Sequence, residues 1–335
     1  MTTPDDRMTR RAALSLIGAA ALASAIPFPL LADDSRSAAL REMLPKFTGK
    51  SRSLLLKLMG DPGYCGQIAA ADVAVLAQNE NTTVDQLMVN LIPLARSYSH
   101  APISNFFVGS VVRGASGCLY TGANIEIPGQ CLGLAVHAEQ SAVSNAYMHG
   151  EQGVTALAVG GAPCGHCRQF INEASPEGEI MILTPGQPPI KLSAILPAAF
   201  GPAALGRRHG AFPISGVNLT LASPTADPLT ASALEAARKA YAPYSTSPSG
   251  VAIRSSKGRI YRGSYIENVA FNPSLSPLQI ALAQMIAAGE RYPAISEVTL
   301  VEVQKAKISQ KAVTETVLGA IAPRVELEHA YAVRR

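Results

Sequence analysis

Charge is what this sequence has least of. Asp, Glu, Lys and Arg make up 16% of the 335 residues, and 28 basic side chains face 24 acidic ones. So small and scattered an excess supplies neither the basic stripe of a nucleic-acid binder nor the footprint of a membrane-surface protein. Cysteine is scarce as well: Cys65, Cys118, Cys131, Cys164 and Cys167 are unevenly spaced, and none follows position 167. An odd, irregular set excludes a disulfide framework, and a chain long enough for two ordinary cores needs none. Long apolar runs are missing too. The one candidate, inside "MTRRAALSLIGAAALASAIPFPLLADD", is short, Ala-rich and broken by Pro27 and Pro29, which excludes a stable membrane span. With 48% hydrophobic residues the chain reads as a globular protein acting on small molecules.

That interrupted run has another meaning, because Arg10 and Arg11 stand directly before it. The layout is that of a twin-arginine signal peptide over 1–32, with cleavage after Ala25 or Ala32. It predicts export to the periplasm; a leader that does not function leaves the protein cytoplasmic. Removal of 1–32 takes away Arg7, Arg10, Arg11, Asp5 and Asp6 and leaves 25 basic against 22 acidic residues, still no nucleic-acid stripe.

Helical spacing of apolar residues in "SLLLKLM" and "VDQLMVNLIPLA" predicts a helical N-terminal segment over 33–94. From position 95 the pattern turns β-rich. Asn105 to Arg113 and Cys118 to Gly122 read as a hairpin, followed by a helix from His137, a strand at "VTALAVGG", a helix from Cys164 through Glu173 and a strand at "EIMILT". This alternation predicts a sheet with helices on its faces over 95–205. The Pro-, Gly- and Ala-rich stretch that follows, 206–228 at its core, reads as a linker.

Past the linker the hairpin returns. "PYSTSPSGVAIRSSKGRIYRGSYIE" lies over "PISNFFVGSVVRGASGCLYTGANIE" at a constant offset of 141 residues, with Gly109, Gly117, Gly122, Ile125 and Glu126 meeting Gly250, Gly258, Gly263, Ile266 and Glu267. An offset this long is a duplicated domain and not a solenoid repeat. The second copy, 229–335, carries "PLQ" or "LQI" where the first has His137-Ala138-Glu139, Tyr265 in place of Asn124, and no cysteine. Metal or thiol chemistry therefore belongs to the first copy alone.

Three zinc-type ligands are on offer there. Cys164 and Cys167, at i and i+3 at the start of a helix, share a face, and the helix N-terminus favours their thiolates. His137 supplies an imidazole from the start of the preceding helix. Three protein ligands leave a tetrahedral ion one open position, the mark of a catalytic site, with Glu139 beside it as a carboxylate free to move protons. His166 falls off the face shared by the two sulfurs. Cys118 and Cys131 read as small apolar side chains. Asn124 and Glu126 taken alone read equally well as loop caps. Cys-Gly-His-Cys by itself is also the pattern of a thiol-disulfide oxidoreductase, although that reading leaves His137-Ala138-Glu139 and the duplication without a purpose.

His-x-Glu with Pro-Cys-x-x-Cys is the signature of zinc nucleobase deaminases. Beyond it, "SNFFVG", "GANIE", "VHAEQSA", "PCGHCRQF", "AFGP", "PYSTSPSGVA" and "ENVAFNP" resemble the two-domain, homodimeric bacterial cytidine deaminases over nearly everything after the leader. The resemblance implies an α/β fold, a three-layer α/β/α sandwich present twice, the second copy degenerate. It implies one Zn2+ per subunit on His137, Cys164 and Cys167, with Glu139 carrying the proton of an attacking water to N3 and then to the departing amine of a nucleoside. It further implies that Asn124 and Glu126 hold ribose hydroxyls, that Phe106 and Ala138 line the pyrimidine pocket, that Phe200 closes it, and that Ala270 and Phe271 approach the neighbouring subunit's site. Arg168, next to Cys167, is expected to donate hydrogen bonds to a thiolate. One departure stands out: Gly161 occupies a position where the family often has a bulky aromatic residue.

Overall fold

The computed structural model describes residues 40–175 and 179–335, so the leader expected over 1–32 lies outside the described residues. Among these residues no helix is long and apolar enough to cross a membrane.

The chain enters through α1 (Gly49–Gly60), started by the Thr48 hydroxyl accepting from Ser51 N at 3.4 Å. A short strand, β1 (Gln67–Ile68), follows, then α2 (Ala70–Asn79) and α3 (Val84–Arg96). The lead-in is therefore not wholly helical, because β1 pairs antiparallel with β3 and forms an edge of the first sheet. Next come β2 (Gly109–Gly114), β3 (Leu119–Ala123), α4 (Ala138–Met148), β4 (Val154–Val159), α5 (Gly165–Ala174), β5 (Met181–Leu183), β6 (Ile190–Lys191) and the single turn α6 (Leu192–Ile195). The second half comprises β7 (Leu219–Leu221), α7 (Pro228–Arg238), β8 (Ser249–Ser255), β9 (Ile260–Ser264), α8 (Pro277–Ala287), β10 (Ile295–Val303), α9 (Lys311–Ile321) and β11 (Leu327–Arg334).

Two sheets result, in the orders β1-β3-β2-β4-β5-β6 and β7-β11-β10-β8-β9. The run β3-β2-β4-β5 matches β9-β8-β10-β11 strand for strand: β2 and β8 are antiparallel to β4 and β10, which are in turn parallel to β5 and β11. The hairpins are in the same register, Ser110 opposite Gly122 and Val251 opposite Gly263.

The glycines shared by the two copies explain themselves through the helices. A Cβ on Gly109 would lie 2.2 Å from Arg96 N of α3, and one on Gly122 would lie 2.1 Å from Ala142 N of α4. Gly109 sits opposite Ala123, the neighbour of Gly122, so the two glycines point to opposite faces of the sheet. Helices consequently cover both faces, and each rests directly on strand backbone. Gly250 and Gly263 repeat the arrangement under α7 and α8, where a Cβ would meet Ala237 N at 2.2 Å and Pro277 O at 2.0 Å. Gly122→Ala should therefore push α4 off β3 and lower the denaturant midpoint by an amount equivalent to about 1–3 kcal/mol or more. Gly49→Ala, where a Cβ meets nothing within 4 Å, should leave the midpoint in place.

The central helices α4 and α8 pack against each other at the seam between copies. Every residue of α4 from Ala138 to Tyr147 is buried, and so is all of α8. A helix covered on all sides has no polar face, which is why the charge-poor stretches sit here. The larger core runs through both copies, and a smaller cluster around Leu219, Leu229 and Ala332 lies apart from it in the second.

Three expectations are corrected. The stretch 206–228 is not a free linker: β7 pairs with β11 at the edge of the second sheet, Ala211 N donates to the Glu173 carbonyl at 2.8 Å, and Phe212 packs on Tyr147. Its Pro, Gly and Ala residues give no periodicity because tertiary contacts, not an amphipathic pattern, hold it. The first hairpin strand starts at Gly109 and not Asn105, since the Asn124 side chain takes Val108 N and the Phe106 carbonyl out of the ladder. The offset also changes within the repeat. Ile125 bridges Val136 while Ile266 bridges Leu275, so the second copy is two residues shorter between these points and the offset falls from 141 to 139. His137-Ala138-Glu139 is thus replaced by Ser276-Pro277-Leu278, and not by "PLQ" or "LQI".

Candidate active site

His137 is the N-cap of α4. Its backbone N–H donates to Gln140 Oε1 at 3.0 Å in a capping box, which fixes the residue at the helix start. Ala138 and Glu139 follow as the first two helical residues, so the Glu139 carboxylate lies at the positive end of the helix. Cys164 caps α5, its sulfur accepting from Cys167 N at 3.4 Å. The loop ahead of α5 leaves β4, the neighbour of β2, and this sheet geometry carries the cysteines to the histidine.

The three donors form a near-equilateral triangle. His137 Nδ1 lies 3.5 Å from Cys164 Sγ and 3.3 Å from Cys167 Sγ, and the sulfurs are 3.4 Å apart. Tetrahedral zinc bonds of about 2.3 Å to sulfur and about 2.0–2.1 Å to nitrogen space such donors roughly 3.5–3.8 Å apart, so the triangle fits the ion with a shift of a few tenths of an ångström. No other group of three or more His, Cys, Asp or Glu residues able to hold a metal occurs among the described residues. The electrostatics fit as well. Burial pushes the Cys167 thiol far up, and the nearby Glu139 carboxylate and Cys164 push it the same way. A dication reverses the sign of that environment and makes thiolate the stable form.

Cys167 is fully buried, whereas Cys164, His137 and Glu139 face a cavity of about 610 Å3. Its walls include Phe106, Asn124, Glu126, Ala138 and the Gly160-Gly161-Ala162 run. Gly161 leaves open space there, since an added Cβ would meet nothing within 4 Å. Glu139 is 5% exposed and within hydrogen-bonding reach of the Cys167 thiol.

Asn124 and Glu126 are heavily engaged. Asn124 Oδ1 accepts from Val108 N at 2.8 Å and Ser99 Oγ at 2.5 Å, while Nδ2 donates to the Phe106 carbonyl at 2.8 Å. Its carbonyl oxygen is saturated, and one N–H remains to donate. Glu126 Oε2 accepts from Ile103 N at 2.7 Å and Ser104 N at 3.0 Å, and Oε1 accepts from Ser104 Oγ at 2.5 Å. Burial alone would raise this carboxyl, but these bonds outweigh it and hold the group below the usual carboxylate range. Glu267 cradles Tyr244 N and Ser245 N in the same way in the degenerate copy, so the glutamate orders its loop whether or not a ligand is held.

Three placements differ from the sequence reading, those of Arg168, Phe200 and Cys131. Arg168 donates to the carbonyls of Pro163 and Ile195, both at 2.8 Å, and not to sulfur; it fixes the turn that presents Cys164. Phe200 is 49% exposed and is not among the cavity walls; its carbonyl accepts from Gln169 Nε2. Cys131 is exposed and not an apolar filler, while Cys118 packs against the core. His166, outside the donor triangle, lies 3.1 Å from the Gln140 amide; burial first and His137 second hold its imidazole below the usual range.

Gln140 escaped the sequence reading. Its amide also reaches the Pro273 carbonyl at 3.2 Å, and Gln279, its counterpart, reaches the Leu134 carbonyl at 3.0 Å. Each capping-box glutamine thus grips the loop of the other copy, a reciprocity visible in sequence only once the 139-residue offset is used. Glu173, buried on the cysteine-bearing helix α5, is held likewise: Oε1 accepts from Tyr241 at 2.7 Å and Tyr244 at 2.5 Å, and Oε2 from Val269 N at 2.9 Å. Burial first, then the Glu173 carboxylate, pushes both phenols well above their usual range. Tyr241→Phe with Tyr244→Phe would strip two of these three bonds and should cost about 1–3 kcal/mol, read as a lower urea midpoint in zinc-loaded protein.

Family models for the "Cytidine and deoxycytidylate deaminase zinc-binding region" match residues 82–183 and again 192–315. The cytidine deaminase of Vibrio vulnificus strain CMCP6 is 47% identical over 254 residues, covering 76% of this chain and 85% of its own length. The chain belongs to the cytidine deaminase family. The cytidine deaminase of Vibrio atlanticus strain LGP32, 40% identical over 278 residues, covers 83% of this chain and 94% of its own. Among solved structures, the cytidine deaminase of Mycobacterium tuberculosis is 30% identical and covers 35% of this chain and 96% of its own, with a TM-score of 0.32. Zinc is the family's metal, and His137, Cys164 and Cys167 form a group that could hold it. Both Vibrio relatives are cytidine deaminases, and the oxidoreductase reading of Cys-Gly-His-Cys has no support from them.

Proposed function

We propose that this cytidine deaminase hydrolyses the 4-amino group of cytidine and 2′-deoxycytidine, giving uridine or 2′-deoxyuridine and ammonia, in pyrimidine salvage. The observation that carries the reading is the His137, Cys164 and Cys167 triangle opening, beside Glu139, on a cavity lined by an aromatic ring and hydroxyl-binding groups. Zinc held there supplies Lewis acidity and lowers the pKa of water toward about 7.

Glu139 does the proton work. Its carboxylate accepts a proton from the attacking water, hands it to N3 as the water oxygen bonds to C4, and returns a second proton to the amino nitrogen as the C4–N bond breaks. Phe106 and Ala138 wall the pyrimidine. Asn124 has one N–H to give and Glu126 a carboxylate oxygen with room to accept, so the pair suits a sugar hydroxyl that accepts from one and donates to the other. A 2′-hydroxyl is not needed for that contact, and both nucleosides fit.

Phe106, Phe200 and Phe271 are 70%, 49% and 64% exposed in the single chain. We read them as faces covered by a second copy in a homodimer, with Phe271 reaching toward the neighbouring cavity. The twin arginine supports export to the periplasm. The test is ammonia release from cytidine and from 2′-deoxycytidine by zinc-loaded protein, repeated on periplasmic and cytoplasmic fractions. Turnover of neither nucleoside would sink the reaction, and activity in the cytoplasm alone would sink the export.

A further inference from the structure

Away from the active site, a second nucleophile and base meet. Cys65, in the turn between α1 and β1, places Sγ 3.1 Å from His149 Nε2. His149 is the C-cap of α4, and its Nδ1 lies 2.9 Å from the Asn145 carbonyl oxygen. A carbonyl can only accept, so the ring proton sits on Nδ1 and Nε2 offers its lone pair to the thiol. A thiol in reach of an imidazole that is itself oriented by a third group is the arrangement of an activated nucleophile.

The cluster is built and not incidental. Asn145 is 1% exposed, and its Nδ2 donates to the Cys65 carbonyl at 3.1 Å while Oδ1 accepts from Gln284 Nε2 at 3.2 Å. Lead-in, catalytic copy and degenerate copy each contribute. Together they border a cavity of about 220 Å3 whose other walls include Arg259 and Arg262. Arg259 lies over the Tyr261 ring and 3.9 Å from Glu290, whereas the Arg262 side chain is exposed and makes no hydrogen bond or ion pair among the described residues. Burial pushes the Cys65 thiol up, against the smaller pull of Arg259, and pushes the His149 imidazole down. The resting pair is therefore a neutral thiol and a neutral imidazole, with the Nε2 lone pair placed at the thiol proton.

We propose that Cys65 is a modification site that exchanges with small anionic disulfides. His149 removes the thiol proton, the Cys65 sulfur bonds to one sulfur of the reagent as its S–S bond breaks, and the departing thiolate takes the proton from His149. One mixed disulfide and one free thiol result. Arg262 and Arg259 draw the reagent's carboxylates to the cavity.

The test treats the zinc-loaded protein with oxidised glutathione, an anionic disulfide, and follows each cysteine peptide by mass spectrometry. Cys65 should gain the adduct at least about tenfold faster than Cys131, which is exposed but has no such neighbours. His149→Gln should slow Cys65 at least about tenfold. Arg262→Gln, a change at an exposed position, should slow it severalfold and abolish the preference over cystamine, a cationic disulfide. A Cys65 rate no greater than that of Cys131, or one unchanged by both substitutions, would overturn the proposal.

Discussion

Glu139→Gln should keep zinc at full occupancy and lower kcat for cytidine by about 10² to 10⁴ or more. The amide matches the carboxylate in size and leaves its place at the start of α4 intact, so neither fold nor metal site has cause to change. What is lost is the ability to take a proton. In the proposed mechanism one carboxylate serves both water activation and amine departure, so the effect should exceed that of a group used once, roughly 3 to 5 kcal/mol as the lower bound. Steady-state kinetics with metal analysis on the same sample checks it. Retained turnover would remove Glu139 from the mechanism, and lost zinc would make it a structural residue.

Cys167→Ala should abolish stoichiometric zinc and, with it, turnover by about 10³-fold or more, because the metal contributes several kcal/mol to the reaction. Cys167 is the fully buried corner of the triangle and presents its sulfur from inside α5. Cys131→Ala is the control: an exposed cysteine outside the donor group, whose loss should change neither quantity.

The candidate site was legible because its residues lie close together in sequence. His137 to Glu139 and Cys164 to Cys167 are short spacings at helix starts, and the capping geometry that presents them follows from the same residues. The hairpin repeat was legible for a different reason, since Gly109, Gly122, Gly250 and Gly263 stand where helix backbone touches strand backbone and no side chain fits. Legibility failed where tertiary contact outweighs pattern. β7 has three residues in a Pro- and Gly-rich stretch and exists because β11 offers an edge. β1 likewise needs β3. Arg168 sits beside Cys167 in sequence, yet two backbone carbonyls claim its guanidinium. The two-residue shortening before α8 is invisible until the bridges Ile125 to Val136 and Ile266 to Leu275 are compared.

The degenerate copy has lost the metal ligands but not its use to the site. Gln140 and Gln169 on the catalytic helices hold Pro273 and Asn268, and Glu173 is held in turn by Tyr241, Tyr244 and Val269. Side chains and backbone of one copy thus hold the helices of the other.

The most direct test is zinc content combined with cysteine alkylation on the purified chain. One zinc per chain, with Cys164 and Cys167 protected until a chelator removes it and Cys131 reactive throughout, is the predicted result. A chain without stoichiometric zinc, or one in which Cys164 and Cys167 are bonded to each other, would contradict it.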